Sequence, residues 1–394
     1  MCPGAYRDQP CNRPPGKLRT RGGPSTRTAT RCSASGVAGN PVLVSDAKGN
    51  IYTFHLSGSG EEKNEKNLAQ ILCHISKDGG KSWEEGASLG MNAPKLQHKP
   101  WATVDSKGNV WVGWTQFDQY KSNDVNCQSN ILLSNSSSGK KWSKPLQISQ
   151  TPGNCNDDDC TAIGAMPAIG VDGKAFIAWS NQNKIFLDRS FDGGSLWLTN
   201  DIAIAALSGG SSLKIPGLVN SNSAPVFMID QSKTNLRGSL YVIWADQRSG
   251  DTNTDVWFSR STNYGDNWST PLKLGDDKNN RHQFMPWMTI DETTGYIYAV
   301  FYDRSDYEND QTDVSLAYST DGGITFKSVK ISESPFTPNE TITLGNYNNI
   351  SAHRGVIAPV WTSVENGKIS IWTAVINQSD LIQIPQASGK KKKK

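Results

Sequence analysis

Ser319-Thr-Asp321-Gly-Gly323-Ile-Thr-Phe326 is the last of four stretches written to one pattern: Ser, x, Asp or Asn, x, Gly, x, x, aromatic. The others are Ser76-Lys-Asp78-Gly-Gly80-Lys-Ser-Trp83, Ser190-Phe-Asp192-Gly-Gly194-Ser-Leu-Trp197 and Ser261-Thr-Asn263-Tyr-Gly265-Asp-Asn-Trp268. A degenerate fifth runs from Ser134 to Trp142, with Gly139 in place and one extra residue. Along the chain the aromatic advances by 59, 55, 71 and 58 residues, the mark of a repeated structural unit. Chemically the pattern is a hairpin turn. Asp or Asn bonds the backbone two residues on, Gly supplies the positive φ, and the aromatic packs back beneath the turn.

Outward from each turn the same order of elements recurs. A strand such as Ile71–Ile75 or Val256–Arg260 leads into it. Before that come a Gly turn and a strand of alternating aromatics: Gly49 to Phe54, Gly108 to Trp114, Gly173 to Trp179, Gly238 to Trp244 and Gly295 to Phe301. A further strand precedes each one (Pro41–Ser45, Trp101–Asp105, Met166–Val171, Val226–Asp230, Trp287–Asp291), and the segment after the turn aromatic makes a fourth. Each unit of about 57 residues is therefore a four-stranded antiparallel sheet, a propeller blade. Five such units, and a sixth begun by Asn348–Ala352, Ile357–Thr362 and Lys368–Ile376, predict an all-β, six-bladed β-propeller with almost no helix. A seven-bladed ring with an incomplete N-terminal blade is the alternative. Ring closure needs a strand from the other end of the chain, and residues 1–36 offer no evident candidate.

The chain has 394 residues, 36% hydrophobic and 20% charged, enough for one large core. No run of 18 apolar residues occurs, so no membrane insertion is expected. The net charge of +3 hides an asymmetry: removing the +6 of residues 1–36 and the +5 of Lys390–Lys394 leaves −8 on residues 37–389. An acidic folded part argues against a nucleic-acid partner, whose binding is driven by basic patches on the domain itself. Residues 1–36, rich in Arg, Pro, Gly and Thr, are expected to be a disordered or atypical leader. Residues 37–385 form a single propeller domain, expected as a monomer, and residues 386–394 a Lys-rich tail.

The four turns, the blade pattern, and the runs Trp244-Ala-Asp246-Gln-Arg248 and Phe301-Tyr-Asp303-Arg304 resemble the sialidase superfamily of Asp-box, or BNR-repeat, propellers, above all its secreted bacterial members. The resemblance covers residues 39–377. It implies a glycosidase of the exo-α-sialidase type. Such enzymes clamp the substrate carboxylate with three Arg, attack with a Tyr paired to a Glu, and use an Asp as acid and base. The types follow from the chemistry, since Arg offers a planar, permanent cation and a neutral Tyr avoids repelling an anionic substrate.

On this chain the resemblance carries over to Arg248, Arg304 and Arg354 as carboxylate ligands and to Tyr347, in Gly345-Asn-Tyr347-Asn-Asn-Ile350, as nucleophile. The family's first Arg, in an aromatic-Arg-Ile-Pro motif, has no counterpart. No Glu occurs between Glu85 and Glu292, so Asp246 or Asp303 would have to serve as the catalytic carboxylate. The structural alternative for Asp246, Arg248, Asp303 and Arg304 is a repeated strand-end ion pair. Gln116, Asn181 and Ser363 occupy the corresponding strand ends of other blades and complete a polar ring suited to sugar hydroxyls.

Cys2, Cys11 and Cys32 lie in the leader, leaving Cys73, Cys127, Cys155 and Cys160 with three possible connectivities. Cys155-Asn-Asp157-Asp158-Asp159-Cys160 is expected to be a loop closed by a local disulfide in a secreted, periplasmic or cell-surface protein. Its three Asp are a calcium candidate and equally a solvated acidic loop. The His residues show no zinc-ligand spacing, and no other cofactor is implied. Two functions remain: a sialidase-like hydrolase of terminal acidic sugars, and a non-catalytic propeller that binds glycan or protein.

Overall fold

The computed structural model describes residues 20–22, 38–57, 70–210, 213–219, 221, 223–275, 279–341, 344–365 and 367–383. Cys2, Cys11, Cys32 and residues 386–394, assigned above to leader and tail, lie outside them. Six antiparallel sheets succeed one another along the chain as the blades of a six-bladed propeller, and the single described helix is the six-residue Gln378–Gln383. Blades 1 to 5 span residues 38–89, 96–147, 163–206, 226–274 and 283–330, each in strand order first to fourth.

Blade 6 is built from both ends of the chain. Asn349–His353, Val356–Glu365 and Lys368–Ala374 supply three strands, and Thr20–Gly22 pairs antiparallel with the last of them, Thr20 opposite Ala374 and Gly22 opposite Trp372. The closing strand absent from the sequence reading thus comes from inside the supposed leader. A strand of three residues, Thr-Arg-Gly, carries no alternation by which to be seen.

The second strands show why the aromatic pattern is so regular. Leu240–Asp246 is buried at every position, because a sheet packed between two neighbours has no solvent face. Trp114, Trp179 and Trp244 all end inside. The turns of blades 3, 4 and 5 then tie each blade to the preceding one. In blade 5 Ser319 Oγ donates to Asp321 Oδ1 at 2.7 Å and accepts the Gly323 N–H at 2.8 Å, while the Ile324 and Thr325 N–H groups donate to Asp321 Oδ1. The same Ser-to-Asp/Asn and Gly-to-Ser bonds recur at Ser76, Ser190 and Ser261. Phe326 packs edge-on against Phe258 of blade 4, with centroids 4.9 Å apart. A side chain on Gly194 would meet Trp111 of blade 2 at 2.8 Å, which is why this positive-φ position tolerates only Gly.

Antiparallel order puts the turns between strands one and two and those between strands three and four on one face, called lower below. Loops between strands two and three, and the connections between blades, lie on the upper face.

The disulfide differs from expectation. Cys155 pairs with Cys127, in the upper loop of blade 2, and Cys160 is a free, exposed thiol; Cys73 is buried. The acidic loop is closed by hydrogen bonds instead: Asn154 N donates to Cys160 O at 2.8 Å, and Cys160 N and Asn154 Nδ2 donate to Asp158 Oδ1. Lys121 N donates to Cys155 O, drawing this cysteine to the blade 2 loop where Cys127 sits.

Candidate functional site

The two Asp-Arg strand ends lie on the upper face of blades 4 and 5 as expected, but their polar groups are already engaged. Asp246 is fully buried and accepts from Trp244 Nε1 at 2.8 Å and from Arg248 Nε at 2.9 Å. Arg248 reaches back to Asp246 with Nη2 at 2.6 Å and to the Ala206 carbonyl, its guanidinium lying 4.5 Å from the Trp257 ring centroid. Arg304 is 0% exposed. Its Nε donates to Thr312 Oγ1, Nη1 to Asp310 and Nη2 to the Pro216 carbonyl, all within 3.0 Å. Burial lowers its pKa to about 10, with Asp310 opposing. Asp303 accepts from the Ser305 backbone and from Ser315 Oγ. Asp246 and Arg248 form the expected strand-end ion pair, whereas Arg304 pairs with Asp310 instead of Asp303, so the pairing does not repeat in blade 5.

The remaining sequence candidates do not converge either. Arg354 sits at φ 51° in the turn between strands one and two of blade 6, its N–H bonded to Asp291, and so lies on the lower face. It cannot join Arg248 and Arg304 at one carboxylate. Gln116 donates to Gln97, and Asn181 donates to the Thr151 carbonyl; both are buried. Their strands are the second of each blade, whereas the channel is walled by the first, so the polar ring does not line the opening. Of the expected site residues, only Tyr347 reaches the channel.

The first strands carry a second repeat. Asn40, Lys99, Gly164 and Met285 all take positive φ, of 50°, 43°, 83° and 51°, each beside a break in the register with strand two. Pro41, Pro100 and Pro286 follow three of them. Proline has no N–H to lose from a ladder, so it is tolerated at such a bulge, and the extra residue re-aims the side chain that follows. In blades 2 and 5 that side chain is Trp101 or Trp287. For Lys99 and Met285 the positive φ is strained backbone of the sort that gathers at ligand sites.

The bulges bring together three aromatic rings. Trp101 and Trp287 lie with centroids 4.4 Å apart, and Tyr347, from the connection into blade 6, stands 6.0 and 5.9 Å from them. With Lys99, Met166 and Pro225 they line a small recess of about 30 Å³, open at its mouth, to which blades 2 to 6 all contribute. A recess of that size suits ordered water, so a larger ligand would rest over its mouth rather than inside it. Burial pushes the Tyr347 phenol above its ordinary value and the Lys99 ammonium below, with the charge of Asp157 acting the other way on Lys99. Beside them, Tyr120 donates to Asp157 at 2.6 Å, and burial followed by the Lys99 charge lowers the His98 pKa to about 4. The His98 ring is 5.2 Å from that of Tyr120. Among the described residues Lys99 forms no ion pair and no side-chain hydrogen bond, and its ammonium is close enough to His98 and Asp157 for their charges to interact. Asp157 and Asp158 serve Tyr120 and the loop's own N–H groups, and no three acidic, His or Cys side chains are grouped to hold a metal among the described residues.

Solved structures share this architecture. The sialidase NanB of Streptococcus pneumoniae superposes with a TM-score of 0.54 at 9% identity, over 94% of this chain and 72% of that one. An α-L-arabinofuranosidase of Fusarium graminearum gives 0.56 at 11%, over 87% and 94%, and a protein of unknown function from Dyadobacter fermentans 0.55 at 12%, over 86% and 94%. No family model and no curated protein sequence matches the chain. At such identities the likeness establishes the fold, a propeller shared by sialidases and arabinan-degrading enzymes.

Lys99, Trp101 and Trp287 are absent from the sequence candidates. Their signal was present in the pairs Pro100-Trp101 and Pro286-Trp287, which fall at the same place in the first strands of two blades.

Proposed function

We propose that this protein binds glycans bearing an acidic sugar at the channel mouth, with the sugar stacked on Trp101, Trp287 and Tyr347 and its carboxylate met by Lys99. The observation that carries the reading is the convergence of three rings from blades 2, 5 and 6 on one recess that Lys99 also lines. Aromatic faces suit the apolar faces of sugar rings, and partly buried anchors of this kind dominate binding energy. The Cys127–Cys155 disulfide fits an oxidising, extracytoplasmic location. No described helix is long and apolar enough to cross a membrane.

Hydrolysis of the sialidase type shares the cavity through Tyr347. The raised phenol pKa and the lack of a carboxylate hydrogen-bonded to it among the described residues weigh against this second reading. Calorimetric titration with sialylated and neutral oligosaccharides separates the possibilities. Trp101→Ala should weaken both ligands at least tenfold, a cost of about 1.4 kcal/mol or more. Lys99→Met should weaken only the acidic one. Unchanged affinities in both variants would remove the site, and release of sialic acid from a fluorogenic glycoside, lost in Tyr347→Phe, would restore the hydrolytic reading.

A further inference from the structure

One position beside the repeated turns varies between blades, with His74 in blade 1, Asp188 in blade 3 and Ala317 in blade 5. In blade 2 the serine that accepts the turn glycine's N–H is Ser136, not Ser134 as the sequence pattern suggested. Two residues before the turn serine, blades 2 and 4 carry Ser134 and Ser259, whose hydroxyls donate to the carbonyls of Ser143 and Ser269, one residue beyond the turn aromatic. Blade 3 has Asp188 there and Leu198 opposite. Asp188 Oδ1 takes over the local role by accepting the Arg189 and Leu198 N–H groups at 2.6 and 3.0 Å. Its second oxygen, Oδ2, is buried and has no partner, in a side chain of 0% exposure.

The strand register pairs Leu187 with Ile202, and continued one residue past the start of the fourth strand it sets Asp188 across from Asp201, whose charge acts on it. Asp201 Oδ2 accepts the Gln150 N–H at 2.8 Å, while its Oδ1 is likewise buried without a partner. Residues directly opposed across an antiparallel pair hold their Cβ atoms about 5 Å apart, and like charges so placed repel. Neither carboxylate forms an ion pair with Lys or Arg among the described residues. Asp201 is only half-buried, which leaves a route from solvent.

We propose that Asp188 Oδ2 and Asp201 Oδ1 hold a divalent cation, calcium by its all-oxygen ligands, that pins the outer strands of blade 3. Water and backbone carbonyls would complete its coordination, as calcium sites allow. The site is separate from the channel and independent of any glycan reading.

The test uses the full chain, stripped with chelator and then titrated with calcium at pH 7.5, followed by calorimetric melting and by isothermal titration. Calcium at a hundredfold excess over Kd should raise Tm by roughly 3 °C, with one ion bound per chain. Asp188→Asn keeps the Oδ1 acceptor for the two N–H groups but halves the site's charge, so the calcium response should vanish; Asp201→Asn should do the same. A parent whose Tm ignores calcium overturns the proposal. So does a response that survives in both variants, or a metal-independent rise in Tm in Asp188→Asn, which would show that the pair is relieved by a shared proton.

Discussion

The upper rim of blades 4 and 5 holds Arg248 and Arg304 against aromatic rings, and the channel bulge of blade 2 sets Lys99 at the edge of an aromatic recess; their cations have opposite fates. Arg304 lies 5.3 Å over Phe284, and its guanidinium is used up by Thr312, Asp310 and the Pro216 carbonyl. Lys99 lines the same recess as Trp101, Trp287 and Tyr347 and has no ion-pair partner among the described residues. A buried cation whose donors are satisfied is part of the scaffold; one left open on strained backbone is available for a ligand. Residue type alone would rank these two the other way, because Arg is the better carboxylate ligand in the abstract.

The sharpest way to break this contrast is to remove Arg304. Arg304→Met should cost about 3–5 kcal/mol in urea unfolding, because Asp310, Thr312 and a loop carbonyl lose their donors at once. Glycan affinity of the protein that remains folded should stay at the parent value. A variant of unaltered stability that no longer binds acidic glycans would return Arg304 to the ligand site.

His282 sharpens the same side of the comparison. Its Nδ1 lies 3.0 Å from Thr254 Oγ1 and 3.3 Å from the Thr254 N–H, and burial, then the charges of Arg304 and Arg281, lower its pKa to about 4. The unfolded chain protonates His near pH 6.5, the folded chain only near 4, so the unfolded state binds more protons between these values. Stability from this group is complete above about pH 6.5 and falls as the pH drops toward 4, by roughly 3 kcal/mol in all. His282→Asn should lack that portion of the acid slope when both proteins are unfolded in urea at pH 7 and pH 4.5. Equal slopes would mean that the rim is open enough to hydrate the imidazolium.

The repeated turns, the aromatic second strands and the blade count were legible because each repeats the same local chemistry at a fixed interval. What escaped was non-repetitive or non-local. Thr20–Gly22 is too short to alternate. Cys155 chose Cys127 over its near neighbour Cys160 because the acidic loop closes on itself by hydrogen bonds. Arg354 was grouped with Arg248 and Arg304 by type, although strand parity sends it to the lower face. Trp101 and Trp287 were visible as strand residues, but their meeting across the axis depends on bulges that bring residues 186 positions apart into contact.

The smallest effect belongs to the lower face. Asp321→Ala removes the acceptor for the Ser319 hydroxyl and for the Ile324 and Thr325 N–H groups, all at an exposed turn where water substitutes in part. The expected cost is about 1 kcal/mol, that of a lost cap or turn bond. Asp321→Asn should recover most of it, since Asn263 fills the same position in blade 4 and still accepts from Ser261 Oγ at 2.9 Å and from the Asn267 N–H at 3.0 Å. Both variants should bind glycans as the parent does, because the turn lies at the end of the blade opposite the channel mouth. Weakened glycan binding in Asp321→Ala at unchanged Tm would show that the two faces communicate, and the division of labour between turn and channel would have to be given up.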